Sequence, residues 1–171
     1  RRFACGIRNG RSFGFGFETT ETTRPAMIQA FWGGGKSWNS STIVPLMDWA
    51  EWPTATEGRI YLDEGTIKKW TGRLMQIVEE NDNLHKLFPW VSKPKTGDPR
   101  AKIWGFEGFC IAGNPIRQRS WEARTIGSQP TGFRYMRAGF DDVVSDKEAT
   151  TASIQDRNLD YIKRVGLTMR K

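Results

Sequence analysis

The stretch that most constrains the fold is Ala26-Met27-Ile28-Gln29-Ala30-Phe31-Trp32-Gly33-Gly34-Gly35-Lys36-Ser37, a short apolar run followed by three glycines and Lys-Ser. An apolar run of this length bounded by glycine reads as a buried strand. Ser37 to Trp49 then reads as a helix, with Pro45 expected to kink or shorten it late in its course. An ordinary turn needs one glycine at positive φ, not three, and gains nothing from an adjacent Lys-Ser. Strand, glycine loop and helix in that order make a phosphate cradle. Successive N–H groups converge on phosphate oxygens, a lysine reaches the β- and γ-phosphates, and a serine hydroxyl ligates Mg²⁺. Gly33, Gly34, Gly35, Lys36 and Ser37 are therefore the candidate nucleotide-binding residues. The usual pattern has a glycine where this chain has Ala30.

About a hundred residues later, Asp141-Asp142 follows a strand candidate, Met136 to Phe140. Paired aspartates often serve as helix caps or turn residues. Downstream of a phosphate loop they have a further use. Asp141 can hold the Mg²⁺ shell and Asp142 can orient or activate the attacking water, with Glu148 on the following helix as a stand-in for that second role. Arg137 and Gly139 interrupt the apolar run expected of a buried strand.

At 171 residues the chain is long enough for one domain with a real core. A net charge of +7 suits a polyanionic partner, nucleic acid above all, though a merely basic soluble protein has the same charge. The single histidine, His85, and two distant cysteines, Cys5 and Cys110, leave almost no material for zinc or histidine-based acid–base chemistry. His85 is expected to be a partly buried polar residue, and the thiols to be reduced packing residues of an intracellular protein. No apolar run approaches a membrane span, and the amino end lacks the apolar segment of a signal peptide. The chain lacks an initiator Met and stops inside basic, helix-like sequence, as a fragment of a longer protein would.

The remaining elements can be placed coarsely. Residues 1–25 form a flanking segment in which Phe13, Phe15 and Phe17 alternate as in an edge strand or an aromatic flap. A strand is expected over Arg59–Asp63, and a helix through Glu80 carrying Ile67, Trp70, Leu74, Ile77 and Val78 on one stripe. A polar loop spans 91–101, strands over 102–106 and 108–112 suggest a hairpin, and a further strand is expected over 120–126. Residues 127–134 are loop chemistry, and a helix from Asp146 carries Ile154, Tyr161, Ile162 and Val165. Arg117, Arg119, Arg124 and Arg134 are candidates for an arginine finger, although most surface arginines play no such part. Lys68, Lys69 and Arg73 read as a solvated helix face. Trp32, Trp38, Trp49 and Trp52 read as core or base-stacking neighbours of the loop, core first.

The order of these phrases resembles the ATPase domain of the large terminase subunit of tailed bacteriophages. Met27 to Phe31 with Gly33-Gly34-Gly35-Lys36-Ser37 is similar to that family's strand and deviant Walker A loop, in which alanine replaces the first glycine. Arg59-Ile60-Tyr61-Leu62-Asp63 and Glu80-Asn81-Asp82-Asn83-Leu84-His85-Lys86-Leu87-Phe88-Pro89 resemble its second strand and the close of the helix that follows. Thr125 to Arg134 resembles the glycine-rich approach to Walker B, and Phe140-Asp141-Asp142-Val143-Val144 resembles Walker B itself. Trp32 stands where many relatives carry an arginine, and the family's nuclease domain and coupling motif are not in this sequence.

The resemblance implies an α/β P-loop NTPase domain over 26–171, a mainly parallel sheet flanked by helices and incomplete at its C-terminal edge. It implies ATP and Mg²⁺ as cofactors, Lys36 and Asp142 as catalytic residues, and Ser37 and Asp141 as metal ligands. The implied activity is ATP hydrolysis that drives double-stranded DNA into a procapsid, in the cytoplasm of an infected bacterial host. The implied partners are double-stranded DNA, a portal protein, a small terminase subunit and further copies in a ring, with no membrane. Two rival readings stand beside it: a helicase-like P-loop ATPase, and a basic nucleic-acid-binding module that does not turn over ATP.

Overall fold

The computed structural model describes residues 2–6, 14–18, 34–115, 118–128, 135–141, 143 and 152–168, and the chain divides into two compact units, Arg1–Lys36 and Ser37–Lys171. In the first unit β1 (Arg2–Gly6) pairs antiparallel with β2 (Gly14–Glu18), Arg2 opposite Glu18 and Gly6 opposite Gly14. Phe15 and Phe17 of the alternating segment therefore lie in a strand, and Phe13 lies outside the described residues. The strand expected over 26–31 lies outside the described residues, as do Trp32 and Gly33.

The second unit is built on four strands: β3 (Glu57–Tyr61), β4 (Gly108–Phe109), β5 (Trp121–Thr125) and β6 (Arg137–Asp141). Their order is β4-β5-β3-β6. β3 runs parallel to both β5 and β6, and β4 is antiparallel to β5. Neighbours in register share a face because side chains alternate along a strand. Glu57, Arg59 and Tyr61 thus face the same side as Arg137, Gly139 and Asp141 and as Trp121, Ala123 and Thr125.

Two helices cover that side. The first, α1, begins with a turn at Lys36–Trp38, passes through a π-helical stretch at Asn39–Ile43 and continues as an α-helix over Val44–Glu51. The second, α2 (Glu64–Glu80), is followed by the short α3 (Asp82–Leu87). The opposite side receives α4 (Ala152–Thr168), whose Tyr161 packs with Ile60, Ala138 and Phe140. The unit is an α/β structure with a mostly parallel, open sheet flanked by helices.

Local chemistry sets the element boundaries. Asp63 caps α2 by accepting from the Thr66 N–H at 2.9 Å and the Thr66 hydroxyl at 2.8 Å. That cap ends the strand at Tyr61, two residues before the expected end at Asp63. Along α2, Ile67, Thr71, Leu74 and Val78 recur at helical spacing and are buried, while Trp70 and Ile77 flank the stripe. Full burial of side chains the size of Leu74 and Val78 contributes about 1.5–3 kcal/mol each. They join Trp49, Tyr61, Phe109 and Trp121 in the main core.

The hairpin expected over 102–112 does not form. Asp98 caps a 3₁₀ turn at Pro99–Ile103 by accepting from the Arg100 N–H at 2.9 Å, and Gly105 and Gly108 close a tight turn with reciprocal backbone hydrogen bonds. Only Gly108–Phe109 remains extended, and it pairs with β5. His85 is half-buried with Nε2 2.9 Å from the Val78 carbonyl, and Cys110 is a buried free thiol. The Cys5 side chain lies outside the described residues.

Candidate phosphate loop and strand-end site

Gly35 has φ +70°, a left-handed conformation that a residue with a Cβ adopts only with strain, and it directly precedes Lys36, where helical geometry begins. Gly34, Gly35 and Lys36 belong to the first unit, whereas Ser37 and Asp141 belong to the second. Gly33, Asp142 and Glu148 lie outside the described residues.

Within the second unit Tyr61 connects the elements that carry Ser37 and Asp141. Asp141 is the last residue of β6, buried, and in register with Tyr61 on the same face of the sheet. The Tyr61 hydroxyl donates to Ser41 Oγ at 2.8 Å, so this face meets α1 four residues beyond Ser37. Burial pushes the phenol up to about 12, opposed by the Ser41 hydrogen bond and by Arg59 and reinforced by the nearby Asp141 charge. Tyr61 therefore remains a donor through the physiological range. Ser37 itself is half-buried, and its carbonyl accepts from the Ser40 hydroxyl at 3.4 Å.

Pro45 does not kink α1 late in its course, as the sequence suggests. It sits in the first turn of the Val44–Glu51 segment, where a missing N–H costs least, and the turn before it widens. The Val44 N–H reaches back five residues to the Asn39 carbonyl. Arg59 then donates to the Ser40 carbonyl from Nη2 at 2.7 Å and Nε at 3.2 Å.

Behind the strand ends lies a buried ionic layer that the sequence reading missed. Glu57 and Arg59 are both buried, with Arg59 Nη1 3.0 Å from Glu57 Oε2, while the same nitrogen donates to the Gly58 carbonyl at 2.9 Å. The Arg59 guanidinium also stacks 5.5 Å from the Trp121 ring centroid. Arg137 pairs with the buried Asp48 of α1 at 2.9 Å, which accounts for a cation in β6. A Cβ on Gly139 would come within 3.1 Å of Arg59 Cδ and Nε, so the glycine makes room for that side chain.

Burial pushes Glu57 up to about 8. The attraction of Arg59 opposes this, and a hydrogen bond to Asp48 and that residue's charge add to it. Neither Glu57 oxygen accepts a hydrogen bond, and Arg59 divides its donors among backbone carbonyls. The short Arg59–Glu57 contact is therefore one between a guanidinium and a largely protonated carboxyl at neutral pH. Two charged residues alternating inward along a short strand were the available signal, but such residues are normally read as surface.

Two of the arginine-finger candidates, Arg119 and Arg124, pair with the buried Glu122 on the other face of β5. That carboxylate also accepts from the Tyr135 hydroxyl at 2.8 Å. Arg117 and Arg134 lie outside the described residues. Trp49 and Trp52 are core residues, whereas Trp38 is exposed. Arg73 sits 5.3 Å from the Trp38 ring centroid and 5.6 Å from that of Trp70, and Lys68, Lys69 and Arg73 are exposed, as a solvated helix face should be.

Among the described residues no three His, Cys, Asp or Glu side chains cluster as a metal site. A divalent ion held chiefly by substrate phosphates needs only one or two protein ligands. No helix among the described residues is long and apolar enough to cross a membrane. The second unit is an α/β structure with a helix-covered, mostly parallel sheet. No protein-family model matches this chain, and no curated protein does.

Proposed function

We propose that the chain is the ATP-hydrolysing part of a DNA-packaging motor of the large-terminase type, with a P-loop fold. The observation that carries this reading is the left-handed Gly35 immediately before Lys36-Ser37 at a helix start. Taken separately, the second unit ends a parallel strand on a buried carboxylate, Asp141. Left-handed glycine lets consecutive N–H groups turn toward one anion. Parallel sheets place ligands outside the carboxyl ends of their strands, where Asp141 stands.

In this reading Gly33, Gly34, Gly35 and Lys36 hold the triphosphate. Ser37 and Asp141 would hold Mg²⁺, which, when bound, neutralises charge on the β- and γ-phosphate oxygens. Asp142 positions the attacking water and takes its proton. Lys36 stays charged and steadies the negative charge that grows on the transferred phosphoryl group. Tyr61, opposite Asp141 in the neighbouring strand, ties the sheet to α1 through Ser41, four residues beyond Ser37. Double-stranded DNA, a portal protein, a small terminase subunit and a ring of copies are the partners this reading proposes, and the cytoplasm of an infected bacterium its location.

The test is Lys36→Ala in the longest chain that contains these residues. ATP turnover should disappear while the urea midpoint stays within experimental error of the parent. Undiminished turnover with normal nucleotide affinity refutes the site.

A second reading is favoured by the exposed Trp38 and Arg73, stacked on the half-buried Trp70 beside Lys68 and Lys69, since stacked aromatic and cationic side chains suit nucleic acid. A binding module without turnover would have those features too. Calorimetric titration with ATP separates the two, because only the motor reading requires Mg²⁺-dependent affinity.

A further inference from the structure

We propose that Arg59 is a positioning residue that keeps α1 in its π-turn and so sets the direction of Ser37; the consequence for Ser37 rests on the phosphate-loop reading above.

Pro45 has no N–H to give. In an α-helical register residue 45 would donate to the Ser41 carbonyl, and in a π register to the Ser40 carbonyl. The proline therefore orphans one carbonyl whichever register the helix takes. In the structure the Val44 N–H has gone to Asn39, and the Ser40 carbonyl receives two N–H groups from Arg59 instead. A buried carbonyl left without a donor is costly, so the strand residue that can reach Ser40 selects the π register.

The guanidinium is fixed independently of the helix. Its Nη1 donates to the Gly58 carbonyl, its face lies on Trp121, and its stem fills the space left by Gly139. The carboxyl-terminal half of α1 is fixed as well, by fully buried Trp49 and by the Asp48–Arg137 pair. A change of register at 39–43 would therefore be taken up at the amino-terminal end. One residue of α-helix turns by about 100° and rises about 1.5 Å. Loss of the π-turn would swing Ser37 by that amount and take Ser41 off the Tyr61 hydroxyl.

The experiment uses Pro45→Ala, Arg59→Met and the two combined, in the full chain. Crystal structures or couplings across hydrogen bonds report the partner of the Val44 N–H. Pro45→Ala alone should keep the Asn39 partner, because Arg59 still holds Ser40. The double variant should pass to an α register, with Val44 bonded to Ser40 and the new N–H at position 45 bonded to Ser41. A π-turn that persists in the double variant overturns the proposal.

Titration with Mg²⁺ and ATP is the second readout, and the double variant should bind at least about tenfold more weakly than the parent. A changed register with unchanged affinity overturns the claim about Ser37. If the parent itself shows no Mg²⁺-dependent affinity, the phosphate-loop reading fails while the register result still decides the role of Arg59. Should Arg59→Met not fold, Gly139→Ala displaces the same side chain through a Cβ 3.1 Å from its Cδ, and it should shift the Val44 partner in the same way when combined with Pro45→Ala.

Discussion

Replacing Glu57 by Gln should make the protein more stable at neutral pH while leaving its stability in acid unchanged. Glu57 is fully buried, faces Arg59 and Asp48 with Arg137 close by, and titrates in the native state at about 8 against 4.5 for an ordinary glutamate. Between those two values the native state holds a proton that the unfolded chain has released. Stability contributed by this group is thus complete below pH 4.5 and is lost as pH rises toward 8, at up to about 1.4 kcal/mol per pH unit. Over the interval from 4.5 to pH 7 the loss amounts to roughly 3 kcal/mol.

A glutamine is neutral at every pH and similar in shape, so it escapes that loss and can still donate toward Asp48. Urea unfolding of parent and variant from about pH 3.5 to pH 8 measures the difference. The gain should be near zero at the acid end and should grow steadily with pH. A difference that does not change with pH would mean that Glu57 is ionised in the native protein, and the account of the buried layer would be wrong.

Thr71→Val should cost about 1–3 kcal/mol, because the buried Trp121 indole N–H, now 3.1 Å from Thr71 Oγ1, loses its acceptor. It should lower the urea midpoint without changing the slope. Gly58→Ala should cost about 1–3 kcal/mol through overpacking, since its Cβ would fall 2.8 Å from the Tyr135 ring. Combining Gly58→Ala with Tyr135→Leu should give a double variant less destabilised than the sum of the two, and strict additivity would refute the clash.

The elements that were legible in the sequence are those with local causes. Asp63 and Thr66 start α2, and Ile67, Leu74 and Val78 repeat at helical spacing. The strand ending in Asp141 was legible despite Arg137 and Gly139, although both had to be treated as interruptions. Their explanation is distant: Asp48 neutralises one and the Arg59 side chain occupies the space of the other. The π-turn was illegible for the same reason. Pro45 announces a break, but the donor that converts the break into a wider turn lies fourteen residues on, in the next strand. The segment around Lys102 to Phe106 misled because its apolar residues resemble a strand, whereas Asp98 and Pro99 had already committed the chain to a 3₁₀ turn. In the candidate site the left-handed Gly35 falls inside the glycine run that the sequence marks. The buried Glu57, Arg59 and Asp48 were not readable, because nothing in a linear pattern marks a charge as inward-facing.

The guanidinium of Arg59 also has an evolutionary consequence. Pro45, Arg59 and Gly139 each look tolerable or odd alone, yet each makes sense only in the presence of the other two. Side chains that share one contact in this way have strongly non-additive effects. Single-step replacements at these positions should be penalised, while exchange of Pro45 together with Arg59 opens a route to an ordinary α-helical turn and frees Gly139 to change in turn. In related chains the three should be inherited together, and the helix that carries Ser37 should change shape where Pro45 is lost along with Arg59 or Gly139.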